Sequence, residues 1–204
     1  AVKKGLENLT KHIENIGHFN EIPIVALNRF HSDTDEEIAC VSELCTELGV
    51  PFAVSDHFGR GGEGALELAK LVRSKCEASP EGFTPLYSWE DKVEDKIAAV
   101  AKKMYGAASI SFTKLGKRKL REVYRLGYGN LPVCIAKTQS SLSDDPKRLG
   151  RPRDFDITVR DIHINAGAGF LVIMTGEIMR MPGLPRRPSA EDIDVIDGRI
   201  TGLR

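Results

Sequence analysis

Residues 50–72 read V-P-F-A-V-S-D-H-F-G-R-G-G-E-G-A-L-E-L-A-K-L-V. A short apolar run typical of a buried strand ends at Ser55, a loop with four glycines follows, and a helical pattern then begins. A helix start presents unpaired backbone N–H groups at the positive end of a dipole, and glycines let a ligand approach the backbone closely. The loop is therefore a candidate site for a phosphate, a carboxylate or a ring, with Phe58 as a stacking surface and Arg60 as a fixed cation.

The glycine spacing G-R-G-G-E-G leaves two interpretations open. It lacks the Lys-Ser/Thr ending of a nucleotide-triphosphate P-loop, and it does not match G-x-G-x-x-G in register. The glycines can therefore serve a ligand, or they can simply make a tight strand-to-helix connection.

The preceding segment repeats the order of strand and helix. Residues 22–27, I-P-I-V-A-L, form a continuous apolar run that predicts a strand buried on both faces of a parallel sheet. A capping box follows, formed by Asp33 with Glu36 or by Thr34 with Glu37, and it predicts the start of a helix that ends at Gly49. Two successive strand-helix units indicate an α/β fold with a right-handed, doubly wound sheet.

The ends of the two strands carry the candidate binding residues. Ligands of doubly wound sheets lie at the carboxyl ends of strands, which here are the loops 28–33 and 55–63. Asn28 and Asp33 are therefore candidates, although a polar strand end can also do no more than cap the following helix.

A change of composition at residues 77–90 predicts a domain boundary, with Pro80, Gly82 and Pro85 interrupting an aromatic-rich segment. We expect residues 1–79 to be the C-terminal part of a nucleotide-binding α/β domain, residues 80–90 to be a linker or hinge, and residues 91–204 to be a C-terminal α/β domain smaller than that whole nucleotide-binding domain. In that second domain, residues 155–164 alternate as a strand whose parity shifts, which predicts a bulge. Asp197-Gly198 predicts a terminal hairpin.

Composition excludes several classes of partner. Lys plus Arg and Asp plus Glu each number 29, so no net charge favours nucleic acid or an anionic membrane. The sequence has no apolar run of transmembrane length. The four cysteines have no C-x-x-C spacing, and we expect buried reduced thiols in a cytoplasmic protein without a metal site.

Motifs in a fixed order resemble the formate–tetrahydrofolate ligase family. They are V-A-L-N-R-F at 25–30, S-D-T at 32–34, G-G-E-G at 61–64, G-N-L-P-V-C-I-A-K-T-Q at 129–139, S-L-S at 141–143, G-A-G-F at 167–170 and M-P-G-L-P at 181–185. The resemblance spans nearly the whole chain, and it covers only the C-terminal portion of the family's longer sequence.

The resemblance implies an ATP-dependent ligase that joins formate to tetrahydrofolate and gives 10-formyltetrahydrofolate through formyl phosphate. ATP with Mg²⁺ and tetrahydrofolate are then the substrates. The chain contains no G-x-x-x-x-G-K-[ST], so the phosphate site is expected in the missing N-terminal portion of the ligase, and the isolated chain is expected to be inactive. The resemblance also implies that the doubly wound sheet is P-loop NTPase-like, and that the protein is a homo-oligomer that binds small molecules.

The resemblance assigns roles to particular residues but names no catalytic one. It implies that Phe58 and Trp89 sandwich the folate ring. The loop of Gly61, Gly62, Glu63 and Gly64 would lie beside them. Asn28 and Asp33 are assigned to adenine, with Lys137 and Thr138 as further candidates.

Three alternatives stay open. Trp89 can be a packing anchor between domains, because large aromatic side chains are usually buried by packing. The chain can be a non-catalytic module that binds folate or nucleotide. The C-terminal domain can serve mainly in oligomerisation.

Overall fold

The structure is a computed structural model, and it describes residues 2–78, 82–176, 178 and 186–202. These residues form helices interleaved with short strands, which confirms the α/β class. The motif at 181–185 lies outside the described residues.

The N-terminal part contains helix α1 (Val2–Gly17), strand β1 (Val25–Asn28), helix α2 (Asp35–Glu47), strand β2 (Phe52–Ser55), helix α3 (His57–Gly64) and helix α4 (Leu66–Ala78). β1 and β2 pair in parallel as a two-stranded sheet. The P-loop NTPase-like doubly wound sheet stays a prediction.

The first strand is less covered than the sequence predicts. Residues of β1 alternate between half-buried and exposed, and Ile22 just before it is 68% exposed. The expectation of a strand buried on both faces is therefore wrong for the described residues, because β2 is its only described neighbour in the sheet.

Helix α2 begins at the predicted capping box. The hydroxyl of Thr34 accepts a hydrogen bond from the Glu37 backbone N–H at 3.3 Å, and the Glu37 carboxylate accepts one from the Thr34 N–H at 3.2 Å. The second of the two sequence alternatives is thus the one that the structure uses.

The C-terminal part begins with helix α5 (Val93–Ala99), which continues into a π-helical segment, Val100–Tyr105, and ends at Gly106 with φ 79°. The remaining elements are strand β3 (Ser109–Phe112), helix α6 (Lys114–Arg125), strands β4 (Val133–Ala136), β5 (Asp156–Val159), β6 (Asp161–Asn165) and β7 (Phe170–Met174), a 3₁₀ turn (Ser189–Asp192) and strands β8 (Asp194–Ile196) and β9 (Arg199–Thr201).

These strands form three small sheets. β3 pairs with β5 in parallel, and the order β4-β7-β6 combines a parallel pair with an antiparallel pair. β8 and β9 form the predicted hairpin around Asp197-Gly198. The bulge predicted within residues 155–164 is wrong, because the chain changes sheets at Arg160 and the parity shift marks two separate strands.

Both described clusters of buried apolar residues lie in the C-terminal part. The larger one combines Val93, Ile97, Val123, Val159, Ile162, Leu171 and Ile173, and the smaller one combines Ala101, Ala107, Phe155 and Ile157. The larger cluster packs strands β5, β6 and β7 against helices α5 and α6. The predicted boundaries 1–79, 80–90 and 91–204 stay predictions.

Helix α1 is joined to the C-terminal part by polar contacts. The Lys11 ammonium donates to the Lys103 carbonyl at 2.7 Å, and the Asn15 amide donates to the Met104 carbonyl at 2.9 Å. The Glu14 carboxylate accepts two hydrogen bonds from one guanidinium group, that of Arg151, at 2.9 and 2.6 Å. Such two-point pairs fix orientation as well as distance.

Candidate functional site

The carboxyl ends of β1 and β2 lie side by side. Asn28 is the register partner of Ser55, and the Arg29 N–H donates to the Ser55 carbonyl at 2.9 Å, so the pairing continues beyond the strands. Ligands of α/β sheets bind outside this kind of edge. The two loops that the sequence places together do start from one edge.

The loop after β1 is closed by Asp33. Its carboxylate accepts from the Phe30 N–H at 2.8 Å, and its own N–H donates to the Phe30 carbonyl at 3.1 Å. The exposed Asn28 amide makes no hydrogen bond within the described part of the chain. Asn28 is thus available to a ligand at the edge, whereas the Asp33 carboxylate already shapes the loop. Their assignment to adenine stays a prediction.

The glycine segment after β2 is helical, so the prediction of a loop at 55–63 is wrong there. α3 is interrupted at Gly61, whose φ of 58° and ψ of −142° suit glycine alone. The Asp56 N–H donates to the Gly64 carbonyl at 3.0 Å and closes the segment on itself. A Cβ on Gly64 would stand 2.1 Å from the Asp56 carbonyl oxygen, so this glycine is required by close approach. Glu63 is exposed beside it.

Two aromatic rings stand in solvent at this edge. Phe58 is 87% exposed at the start of α3, and Phe30 is 54% exposed just after β1. The sequence analysis missed Phe30 as a site residue. The signal that could have found it is its place two residues after Asn28, on the loop that neighbours the one carrying Phe58.

His57, which directly precedes Phe58, is also held in place. The Ser55 hydroxyl, buried at the strand end, lies 3.0 Å from Nδ1 of His57. This contact holds the first residue of α3, and the side chain of the next residue, Phe58, is 87% exposed.

Trp89 is 60% exposed and lies in the connection between the two parts of the chain. Its carbonyl accepts from the Lys96 ammonium at 2.6 Å, and the neighbouring Tyr87 hydroxyl accepts from the Val133 N–H at 3.1 Å. The described stacked pair of rings is Phe19 on Phe83, at 5.4 Å between centroids. The structure therefore ties Trp89 to the C-terminal part, and its pairing with Phe58 stays a prediction.

A second candidate region is a cleft of about 1100 Å³ at the carboxyl ends of β3, β4 and β5. Most of the residues that line it are polar, and they include Thr113, Thr138, Asp144 and Thr158. Lys137 does not line it but holds its rim, because its ammonium donates to the carbonyls of Thr138 and Ser141. Burial lowers the pKa of Lys137, and Asp144 partly opposes that shift.

The cysteines do not share one environment. Cys45 is fully buried, and burial raises the pKa of its thiol. Cys76 and Cys134 are exposed, so the expectation of buried thiols is wrong for these two. In the described ranges, no cluster of three or more His, Cys, Asp or Glu side chains could hold a metal ion.

The structure defines an α/β protein that presents two exposed aromatic rings and a closed glycine turn at one sheet edge. Comparison with known sequences is more specific. A family model described as formate–tetrahydrofolate ligase matches residues 1–204, and the chain belongs to that family.

Three curated relatives carry the name formate–tetrahydrofolate ligase. The proteins from Parabacteroides distasonis and Syntrophus aciditrophicus are each 51% identical, over 206 and 204 residues, and the one from Phocaeicola vulgatus is 47% identical over 204 residues. Each match covers 100% of this chain but only 36–37% of the relative. That share is consistent with the C-terminal portion expected from the motifs.

None of the described helices is both long and apolar enough to cross a membrane.

Proposed function

We propose that the chain is the tetrahydrofolate-holding part of an ATP-dependent ligase that joins formate to tetrahydrofolate in the cytoplasm. The observation that carries the proposal is the pair of exposed rings, Phe30 and Phe58, on adjacent loops of one sheet edge in a member of this family. The pyrimidine ring of the reduced pterin is planar and conjugated, and parallel or offset rings on either side are a favourable way to bind it.

The proposed reaction has two steps. A formate oxygen attacks the γ-phosphorus of ATP and displaces ADP, which gives formyl phosphate. The N10 amine of tetrahydrofolate then attacks the formyl carbon, inorganic phosphate leaves, and N10 loses its proton. The contribution of the chain to the second step is positioning, because holding the amine beside the acyl phosphate makes the attack effectively unimolecular.

Phe58 supplies one wall of the proposed site, and the closed turn of Gly61, Gly62, Glu63 and Gly64 lies beside it. Trp89 is the second wall implied by the family resemblance. Phe30 is the second wall favoured by the strand pairing, since Asn28 and Ser55 are register partners. Only one of the two is needed to complete the sandwich.

Asn28 and Asp33 are proposed to read adenine at the same edge. ATP is bound with Mg²⁺, and most of its phosphate contacts belong to the N-terminal portion, since the chain has no G-x-x-x-x-G-K-[ST]. The isolated chain is therefore proposed to be inactive alone. In keeping with the resemblance, the complete ligase is proposed to be a homo-oligomer.

Calorimetric titration with tetrahydrofolate, kept reduced and taken to about 5 mM because two ring contacts give weak binding, tests the site. We expect saturable binding that Phe58→Leu abolishes. Phe83→Leu is the matched control, because Phe83 is also exposed, at 65%, but stacks on Phe19. Loss with Phe30→Leu but not with Trp89→Leu assigns the second wall to Phe30, and the reverse assigns it to Trp89. Absence of binding by the unmodified chain contradicts the proposal.

Complementation tests the ligase activity. The chain is mixed with the segment of the Syntrophus aciditrophicus relative that it does not cover, and formation of 10-formyltetrahydrofolate is measured with ATP and formate. Product that needs both pieces supports the ligase. Folate binding without product under any mixture supports the alternative, a non-catalytic folate- or nucleotide-binding module. For a role in oligomerisation, sedimentation of the whole chain must show a species larger than the monomer.

A further inference from the structure

Lys96 is a fully buried lysine, 0% exposed, on the inner face of α5 between the core residues Val93 and Ile97. Its ammonium donates hydrogen bonds to three backbone carbonyls: Trp89 at 2.6 Å, Gly129 at 3.1 Å and Leu131 at 3.2 Å. An ammonium carries three donors, so the set is complete. A buried charge is tolerated only when it is satisfied in this way.

The bonds of Lys96 join segments that are far apart in sequence. Trp89 lies in the connection that leads into α5, whereas Gly129 and Leu131 lie in the loop that enters β4. The hydroxyl of Tyr87 accepts from the Val133 N–H at 3.1 Å and adds a second tie between the same two segments. The connection is thus held against residues 129–133 at two points, at the Trp89 carbonyl through Lys96 and at the Tyr87 hydroxyl.

The Lys96 ammonium donates to backbone carbonyls and is not paired with an acidic side chain of the described residues. No described carboxylate lies within salt-bridge distance of its ammonium. Asp91 accepts from the Ser88 N–H at 2.8 Å, and Glu90 accepts from the Ser88 hydroxyl, so both acids are used within their own turn. Burial lowers the pKa of Lys96, and the nearby charges of Asp91 and Glu90 oppose that shift.

We propose that Lys96 is a positioning residue, whose buried ammonium fixes the Trp89 turn against the loop that enters β4 and thereby sets the place of the Trp89 side chain. The inference concerns the protein without ligand, so it stands or falls independently of the proposed function. It makes the exposed indole of Trp89 a rigidly placed surface, which a flexible interdomain segment would not provide.

Fluorescence anisotropy of Trp89, the single tryptophan of the sequence, tests the inference together with hydrogen exchange at Val133. Lys96→Met keeps the length of the side chain but removes all three donors. Lys103→Met is the matched control, because Lys103 is exposed and donates to the Leu86 carbonyl of the same connection at 3.2 Å. We expect lower anisotropy and about tenfold faster exchange in the first variant only, the scale of one lost hydrogen bond. Equal values in both variants would overturn the proposal.

An alkaline titration covers the case in which Lys96→Met does not fold. Deprotonation of Lys96 removes one of the three donors, and its lowered pKa makes this happen at a lower pH than for an exposed lysine. The acids that face the ammonium are Glu90 and Asp91, the loop 129–131 presents only carbonyls, and Tyr124 titrates later because its pKa is raised to about 12. We expect an anisotropy decrease in the unmodified chain that is absent in Lys96→Arg. A decrease that persists in Lys96→Arg would overturn the proposal.

Discussion

Replacing Gly64 with alanine perturbs the closure of the glycine segment at its tightest point. The new Cβ would stand 2.1 Å from the Asp56 carbonyl oxygen and 2.4 Å from its carbon, distances that force the backbone apart. The hydrogen bond from the Asp56 N–H to the Gly64 carbonyl, 3.0 Å long, would then be lost or lengthened. Gly61 and Gly62 serve as comparisons. Gly61 has a positive φ without a close neighbour, and Gly62 has neither a positive φ nor a close neighbour.

The three substitutions have distinct expected sizes. Gly64→Ala combines overpacking of about 1–3 kcal/mol with the loss of roughly 1 kcal/mol for one hydrogen bond. Gly61→Ala meets no atom within 4 Å but must adopt a φ of 58°, which costs about 1–3 kcal/mol of backbone strain. Gly62→Ala meets no atom within 4 Å, and its φ lies outside the left-handed region, so it should stabilise by about 0.4–1 kcal/mol.

Urea unfolding followed by circular dichroism measures the free energy of unfolding of each variant. We expect the order Gly62→Ala, unmodified chain, Gly61→Ala and Gly64→Ala, from most to least stable, with a midpoint about 1–2 M lower for the last. Equal stability of the Gly64 and Gly62 variants would show that the segment does not close as described. A Gly61 variant as stable as the Gly62 variant would refute the strained conformation at the helix break.

Three further outcomes can be measured. Burial and the hydrogen bond to Glu94 raise the pKa of Tyr124 to about 12. The stability that the protonated Tyr124 hydroxyl contributes is therefore complete below pH 10 and is lost towards pH 12. In a plot of unfolding free energy against pH, Tyr124→Phe should remove this decrease between about pH 10 and pH 12. A thiol reagent should modify exposed Cys134 in the native chain and buried Cys45 only after unfolding. Arg151→Lys should cost about 0.5–1 kcal/mol in urea unfolding, because lysine cannot make the two-point pair of Arg151.

Local chemistry made much of the fold predictable. The Thr34 capping box, the helix end at Gly49 and the hairpin at Asp197-Gly198 each depend on a few neighbouring residues, and the structure uses all three. The apolar run that ends at Ser55 likewise predicts β2. What these features share is that the interactions that decide them lie within about one turn of the residue concerned.

The failed predictions depend on distant neighbours. Alternation at 155–164 indicates strand correctly, but nothing local says that the chain changes sheets at Arg160. Cys134 is exposed on β4 between half-buried Val133 and Ile135, so its side chain lies on the opposite face of the strand, and distant elements decide which face is covered. The glycine content of 59–64 suggested a loop, whereas the contact between Asp56 and Gly64 permits helical turns on either side of Gly61.

The candidate site divides in the same way. The alternation of strands and helices predicts that β1 and β2 end at the same edge of the sheet. Asn28 and Phe58 could therefore be assigned to one edge from the sequence, and the pairing of the two strands agrees. Phe30 was overlooked because a single aromatic after a strand carries no signal until the neighbouring loop is known. The buried ammonium of Lys96 was equally invisible, since its three carbonyl partners come from two segments more than 30 residues apart.

The affinity that two rings can supply limits what the isolated chain can do. Covering one face each of Phe30 and Phe58 contributes roughly 1.5–3 kcal/mol per ring, or about 3–6 kcal/mol together, before the entropy of association is subtracted. A dissociation constant of 1 mM already requires about 4 kcal/mol, so we expect the isolated chain to bind tetrahydrofolate with a dissociation constant of about 1 mM. Tight binding must then depend on polar contacts to the rest of the substrate, supplied by the part of the ligase that this chain does not cover. A micromolar dissociation constant measured for the isolated chain would contradict the assignment of the polar contacts to the rest of the ligase. It would require further ligand contacts among the residues of this chain, and substitution of the exposed Asn28 would be the first test of them.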